Sequence, residues 1–559
     1  VKVYYHGQGT WGTPSGLLSE PNLLALSGNN WDDYGTKTTL NASLYFDGQR
    51  LDFNFHMKVL IKENSYTAEA LNKLKASGWN GFFPIPNCIY VSLPSDIEFY
   101  SIIISKLGIE KAQELLDLLN DAGQQKYLKK EELYLELLQS PEFSHSVLRE
   151  SGATTAFEDG WHIFDGLVSQ INDFEINLLT KENKTKKIPF KFTSSLLPYD
   201  INVLIGPNGI GKSYSIKSLV EYWLKTGLGD LKYLESISHK PFDKTPNFRN
   251  LILVSYSPFE EFELDLNKHK LQDKQAYTYF GFRYKKSDNT IGINRNLPAY
   301  DSALSIIKAL YDDDNFSFIS TRVKKFPILY QALNNAFSFD FMALEIKEQS
   351  TSKFPPFLIK KINDNSQYIC LSPETSKIIS KDNLINSCDL TKGVLFLKEN
   401  KLHMLSSGQR LFTYIAINVV GELKENSLVI IDEPELFLHP TLEIEFVSLL
   451  KSVLKPFKSK AILATHSLAV VREVPSKCVH IFRNEGNDLD IISPPFETFG
   501  GDMQRISSYV FGDKAVTKPF EDFLVEQSTK YSPEELIQLL GDEINEEITM
   551  SIFRLGKQK

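Results

Sequence analysis

The chain has 559 residues, 42% hydrophobic, 12% aromatic and 23% charged, with 61 basic against 70 acidic side chains for a formal net charge of −9. That composition excludes a disordered chain, a collagen-like chain and a disulfide miniprotein, and the length supplies more than one core. The acidic balance gives no argument for strong electrostatic binding to nucleic acid, although a local basic groove is compatible with it. Cys88, Cys370, Cys388 and Cys478 form no Cys-x-x-Cys pair and read as reduced thiols. The start Val1 to Gly7 lacks a secretory pattern, and no run of about 18 apolar residues occurs, so the expectation is a cytoplasmic protein without a membrane segment.

In chain order, Ala42–Phe46 and Phe53–Ile61 alternate like strands around the turn Asp47-Gly48, and Tyr66–Leu71 begins a helical pattern. From about Ser95 to Glu150 the period moves towards 3.6. Leu115, Leu116, Leu118 and Leu119 share one apolar face, and Leu133, Leu135, Leu137 and Leu138 another. Phe174–Leu179 and Ile188–Phe192 flank a Lys-rich turn and predict a hairpin. Ile201–Ile205 is a short, mostly apolar strand that runs straight into Gly206.

Gly206-Pro207-Asn208-Gly209-Ile210-Gly211-Lys212-Ser213 fills the pattern G-x-x-x-x-G-K-[ST], with a strand before it and helical Ser215–Val220 after it. Glycines let backbone N–H groups curl around phosphates, and the helix N-terminus adds partial positive charge. Lys212 is expected to reach the β- and γ-phosphates and Ser213 to hold Mg²⁺, with Tyr214 closing the nucleotide-binding stretch. A Gly-rich turn without a ligand is the bland alternative. No guanine-reading Asn-Lys-x-Asp follows, so ATP is preferred over GTP.

Leu428–Ile431 is an apolar strand ending in Asp432 and Glu433. The first acid is placed to order the Mg²⁺ shell and the second to polarise an attacking water. Shortly before it, Leu405-Ser406-Ser407-Gly408-Gln409-Arg410 offers small hydroxyls and a glycine at a helix start, groups able to donate to a γ-phosphate. Ala461–Ala464 is a further apolar strand, ending in Thr465-His466-Ser467.

The ordered set resembles ABC-type ATPases: phosphate loop (Walker A), signature (Ser406, Ser407, Gly408, Gln409, with Ser407 where Gly is common), Asp-Glu strand (Walker B) and switch histidine, His466. The pattern departs at the Q-loop. No Gln follows Leu251–Tyr256, leaving Ser257 as a substitute, and an adenine-stacking ring stays open among Tyr199, Phe190 and Phe192. Asp-Glu-Pro-Glu, Leu-His-Pro and Ala-Thr-His-Ser are similar to soluble OLD-like ATPases. Asp488-Leu489-Asp490 reads as a hairpin turn, so no Toprim nuclease is expected. Gly9-Thr10-Trp11-Gly12, Asn30-Trp31-Asp32-Asp33-Tyr34 and Gly500-Gly501-Asp502 extend the likeness to ATPases of the PtuA type, from Septu-type and retron-associated anti-phage systems of bacteria.

The resemblance implies an α/β fold, an ABC-type P-loop ATPase head carrying several additions. These are an N-terminal α+β extension (1–165), a first half of the head (166–265), an inserted helical or mixed subdomain (266–395), a second half (396–510) and a helical tail (511–559). It implies ATP and Mg²⁺ as cofactors, and a homodimer in which each site is closed by the other copy's signature. It further implies an HNH-type nuclease partner and, in retrons, a reverse transcriptase with its RNA–DNA product. The insertion is too short and Pro-interrupted for a long coiled coil. Its Lys324-Lys325 and Lys360-Lys361 pairs could touch nucleic acid. Ser532-Pro533-Glu534-Glu535 caps a tail helix whose apolar face, with Ile544, Ile548 and Ile552, serves either its own subunit or a partner. A DNA-repair ATPase acting directly on DNA and a nucleotide-stabilised scaffold are the alternative functions.

Overall fold

The computed structural model describes residues 1–8, 20–33, 35–164, 170–180, 182–227, 233, 236–237, 239–267, 274–363, 366–485, 488–511 and 519–557. Gly9-Thr10-Trp11-Gly12 and Tyr34 lie outside them. Contacts divide the chain into two compact units, residues 1–503 and 504–559. Among the described residues no helix is long and apolar enough to cross a membrane.

The first unit begins with a six-stranded mixed sheet: Lys2–Gln8, Asn22–Gly28, Thr39–Phe46, Gln49–Arg50, Phe55–Ile61 and Tyr90–Pro94. Side chains alternate across a strand. Leu24, Leu26, Leu40, Leu44, Met57 and Val59 are therefore buried in one core with the apolar faces of the helices Glu98–Leu107 and Ile109–Leu119. Their neighbours Ser27, Asn41 and Ser43 fall on the opposite face, with Ala25 opposite Ser43 and Ser27 opposite Asn41. The Trp-Asp-Asp segment near residue 32 is a structural anchor. Asp33 is fully buried, pairs with Arg149, and accepts from Trp31 Nε1 at 2.9 Å and Ser146 Oγ at 2.9 Å.

The central sheet has seven strands in the order Tyr277–Gly281, Leu251–Ser255, Leu428–Asp432, Lys460–Thr465, Ile201–Ile205, Val479–Glu485, Asp488–Ile492. All pairings are parallel except the last, a hairpin. The strands Leu251–Ser255, Leu428–Asp432 and Ile201–Ile205 are buried throughout, which is why they read as mostly apolar runs without alternation. Asp488 and Asp490 lie on the edge strand, tied to Lys184 and Arg483. The predicted hairpin forms as Phe174–Leu179 with Thr185–Phe190.

Within 266–395, Tyr277–Gly281 joins the central sheet, whereas Phe341–Glu345, Ile359–Asn363 and Ser366–Cys370 build a separate antiparallel sheet completed by Leu395–Lys398 and Lys401–Leu402. The helix Leu297–Asn315 packs on Ser407–Glu422 so closely that a Cβ on Gly421 would sit 2.7 Å from Ser305 Cβ. Lys325 is no surface lysine. It is buried, and its ammonium lies 2.8 Å from Asp312 and donates to the Gly421 carbonyl at 2.8 Å. Ion pairs join the extension to the central body. Asp96 and Glu98 meet Arg249, the latter at 3.0 Å, Glu98 also meets Arg322, and Lys424 lies 3.7 Å from Asp96.

In the second unit, Pro519–Ser528, Pro533–Leu540 and Glu546–Lys557 bury Leu524, Leu536 and Ile552 against one another, with Ile544 and Ile548 packed beside them. Ser532 and Glu535 form the capping box that the sequence indicated.

Candidate nucleotide site at the carboxyl ends of the central strands

In a parallel sheet the loops after the strands share one edge, where ligands gather. Ile201–Ile205 ends at Gly206, and the helix Lys212–Gly227 begins six residues later. A Cβ on Gly206 would lie 2.4 Å from the Phe482 carbonyl oxygen, so only glycine fits there. Gly209 and Gly211 adopt φ of +72° and +112°, a region that costs other residues energy. Pro207, Asn208 and Gly209 are exposed, Ile210, Gly211 and Ser213 half-buried, and Tyr214 is 51% exposed with its hydroxyl donating to the Leu179 carbonyl at 3.2 Å.

Lys212 turns back into this loop. Its buried ammonium donates to the carbonyls of Gly206 at 3.0 Å and Pro207 at 3.1 Å, and lies 2.8 Å from His466 Nε2. An ammonium has no lone pair, so Nε2 of His466 accepts and the imidazole proton sits on Nδ1. Burial pulls the Lys212 pKa down, and the carboxylates of Glu433 and Asp432 partly restore it.

The adjacent strands bring the other groups. Register pairs Asp432 with Ser255 on one side and Ala464 on the other, so Asp432 and His466 emerge side by side. Ser213 Oγ donates to Asp432 Oδ1 at 3.3 Å, and Oδ2 is buried without a hydrogen-bond partner. Burial, then the charges of Glu260 and Glu433, push Asp432 up to about 8. Glu433 leaves the strand with φ of +50°, and its Oε1 lies 3.7 Å from His466 Nε2. When His466 carries a proton on Nε2, its ring and with it the Lys212 ammonium draw the Glu433 carboxyl below the usual carboxylate range against partial burial. Two carboxylates one residue apart thus have opposite proton affinities.

The structure does not bring Ser406–Gln409 into this cluster. Ser406 caps the helix Ser407–Glu422: its Oγ accepts from Gln409 N at 3.2 Å, and Gln409 Oε1 accepts from Ser406 N at 3.0 Å. Ser406 and Ser407 are exposed and Gly408 is buried. Phe190 and Phe192 are buried in the central core, which removes both from the open question of a base-stacking ring. Ser257 is buried at 8% exposure.

Glu260 escaped the sequence reading, and Glu435 entered it only as part of Asp-Glu-Pro-Glu, without a contact to His466. Glu260, five residues past Ser255, acts electrostatically on both Lys212 and Asp432. Glu435 Oε1 accepts from the His466 backbone N–H at 2.5 Å, fixing the turn that presents the imidazole. Only the acidic character of Glu260-Glu261 after an apolar strand hinted at the first, and the Pro434-Glu435 succession at the second.

Among the described residues, no three His, Cys, Asp or Glu side chains gather as a metal-ligand cluster. Asp432 and Ser213 offer one carboxylate, with an orphaned buried oxygen, and one hydroxyl. That donor set suits Mg²⁺, which binds through one or two protein oxygens and completes its shell with phosphates and water.

Residues 397–472 match the family described as an AAA domain, putative AbiEii toxin, Type IV TA system. The match spans Ser406–Gln409, Asp432, Glu433 and His466. Protein ea59 of Escherichia phage lambda is 24% identical over 528 residues, covering 88% of this chain and 86% of that protein. A crystal structure of an SMC head bound to the C-winged helix domain of ScpA gives a TM-score of only 0.30 at 12% identity, covering 58% of this chain and 98% of that one. The family match identifies an ATPase-associated, ATP-binding type of domain within a mixed α/β architecture.

Proposed function

We propose that this chain is an ATP-hydrolysing regulatory ATPase of ABC type that controls a separate nuclease in anti-phage defence through ATP-dependent dimerisation. The observation that carries the reading is the convergence of Lys212, Ser213, Asp432, Glu433 and His466 on one sheet edge beside a glycine loop. Lys212 would exchange its carbonyl partners for β- and γ-phosphate oxygens. Mg²⁺ held by Ser213 and Asp432 would neutralise phosphate charge. Glu433 stays ionised and can accept a proton from the attacking water. His466, an acceptor towards Lys212, would meet the γ-phosphate once Lys212 moves. Tyr214 is an open aromatic beside the loop for the base.

Among the described residues the exposed Ser406 bonds to Gln409 within its own helix start and to no group of the glycine loop, which fits donation to a second copy's phosphate. Met404, 79% exposed, and Leu436, 46% exposed, supply apolar surface near the same elements. The defence setting draws on the description of the matched family, a putative toxin, and on the resemblance to PtuA-type ATPases. An HNH-type nuclease, and a reverse transcriptase with its RNA–DNA product, are the partners that the resemblance supplies.

Glu433→Gln tests the reading. The variant should bind ATP as the parent does and self-associate more persistently with ATP. Its phosphate release should fall by roughly 100-fold or more, the scale of a lost general base. Unchanged turnover removes Glu433 from that role.

A further inference from the structure

A second concave site lies between the extension and the central body, away from the glycine loop. It is a cleft of about 760 Å³, within the range that holds a small organic ligand. One wall is the polar face of the N-terminal sheet, where Ser27 and Ser43 present hydroxyls beside Asn41, whose amide is held by Asn29 and the Gly28 carbonyl. The facing wall comes from the helix Leu297–Asn315, including Asn315, and from the end of Ser407–Glu422.

Apart from Lys274, whose ammonium donates to the Leu266 carbonyl at 2.8 Å, the lysines and arginines on the walls divide into two groups. Four cations are matched within the cleft: Lys308 by Glu422 at 2.6 Å, Lys325 by Asp312 at 2.8 Å, Lys424 by Asp96 at 3.7 Å and Arg322 by Glu98. Arg50, from the strand Gln49–Arg50, and Lys381, at the start of the helix Lys381–Ser387, are exposed and form no ion pair among the described residues. Asp52 is the one lining acid that no cation pairs among those residues. The two unmatched cations come from different parts of the chain, the extension and the inserted segment.

The geometry points to a binding site for a phosphate-bearing nucleotide group, supplied either as a free nucleotide or as the end of a single nucleic-acid strand. Arg50 and Lys381 take the phosphate, Arg as a fork and Lys as a point charge. The hydroxyls of Ser27 and Ser43 and the amide of Asn315 take the sugar and base edges. A lone inorganic anion would leave most of the cleft unfilled. The site is independent of the glycine loop.

The test is calorimetric titration of the full chain, with the glycine loop saturated by ADP and Mg²⁺. The probes are thymidine 5′-monophosphate and, separately, a 5′-phosphorylated hexathymidylate. At least one probe should bind with one site per chain and weaken tenfold or more in Arg50→Glu with Lys381→Glu, while ADP affinity stays unchanged. The milder pair Arg50→Gln with Lys381→Gln should move in the same direction at an unaltered melting temperature. Equal affinity for both probes assigns a free nucleotide, and preference for the hexamer assigns a strand end. Absence of binding by both, or binding indifferent to the substitutions, overturns the site.

Discussion

Asp432 and Glu433 are neighbours in sequence, yet one is held protonated near neutrality and the other ionised. Asp432 titrates at about 8 against 3.8 for a free carboxyl. Between those values the folded chain keeps a proton that the unfolded chain has lost. Its contribution to stability is therefore full in acid and drains away as the pH rises towards 8. Asp432→Asn has no proton to lose. By scanning calorimetry without nucleotide, the variant should melt several degrees above the parent at pH 8, with a smaller gap near pH 5. A gap that does not widen with pH contradicts the burial argument. With Mg²⁺ and ATP the order should invert, because the parent alone gains from the cation. The meeting of Lys212, Asp432 and His466 was legible in the sequence because each follows an apolar strand, and strands of one parallel sheet end together. Glu260 was not. It follows its strand by an irregular loop holding Glu260, Glu261 and Glu263, and spacing alone cannot say which acid turns inward.

At the scale of elements, the helix Ser407–Glu422 joins two tasks at one residue. Ser406 is its cap, and in the proposed dimer it is also a phosphate donor. Two substitutions separate these tasks. Ser406→Ala removes the cap and should cost about 1 kcal/mol. Ser406→Asp keeps a good cap but sets a negative charge at the helix start. It should melt like the parent yet lose ATP-dependent self-association in sedimentation experiments. If the Asp variant still associates with ATP, Ser406 does not face a phosphate. The strand assignments around the site were readable from mostly apolar runs. Tyr277–Gly281 was harder: with Tyr at 277 and 279 and Gly at 281, its residues carry no such run, and it was placed with the insertion although it pairs with Leu251–Ser255.

At the scale of the molecule, the extension is held to the central body by Asp96 and Glu98 against Arg249, Arg322 and Lys424. Arg249 is 6% exposed and held by both acids, so removing the two together strands a buried guanidinium. Asp96→Asn combined with Glu98→Gln should cost on the order of 3 kcal/mol and make the extension's junction more susceptible to limited proteolysis. Unchanged cleavage shows that apolar contacts alone hold the junction. None of this clamp was legible, because its members come from four separated stretches and each looks like an ordinary surface charge. The same separation shapes how the protein is made. Lys212 and His466 stand 254 positions apart, and both neighbours of Ile201–Ile205 in the sheet, Lys460–Thr465 and Val479–Glu485, leave the ribosome long after it does. Until then that strand has two bare edges on an apolar ribbon, the form most open to pairing with a stranger's chain. The growing polypeptide must shelter it while residues 206–459 are made.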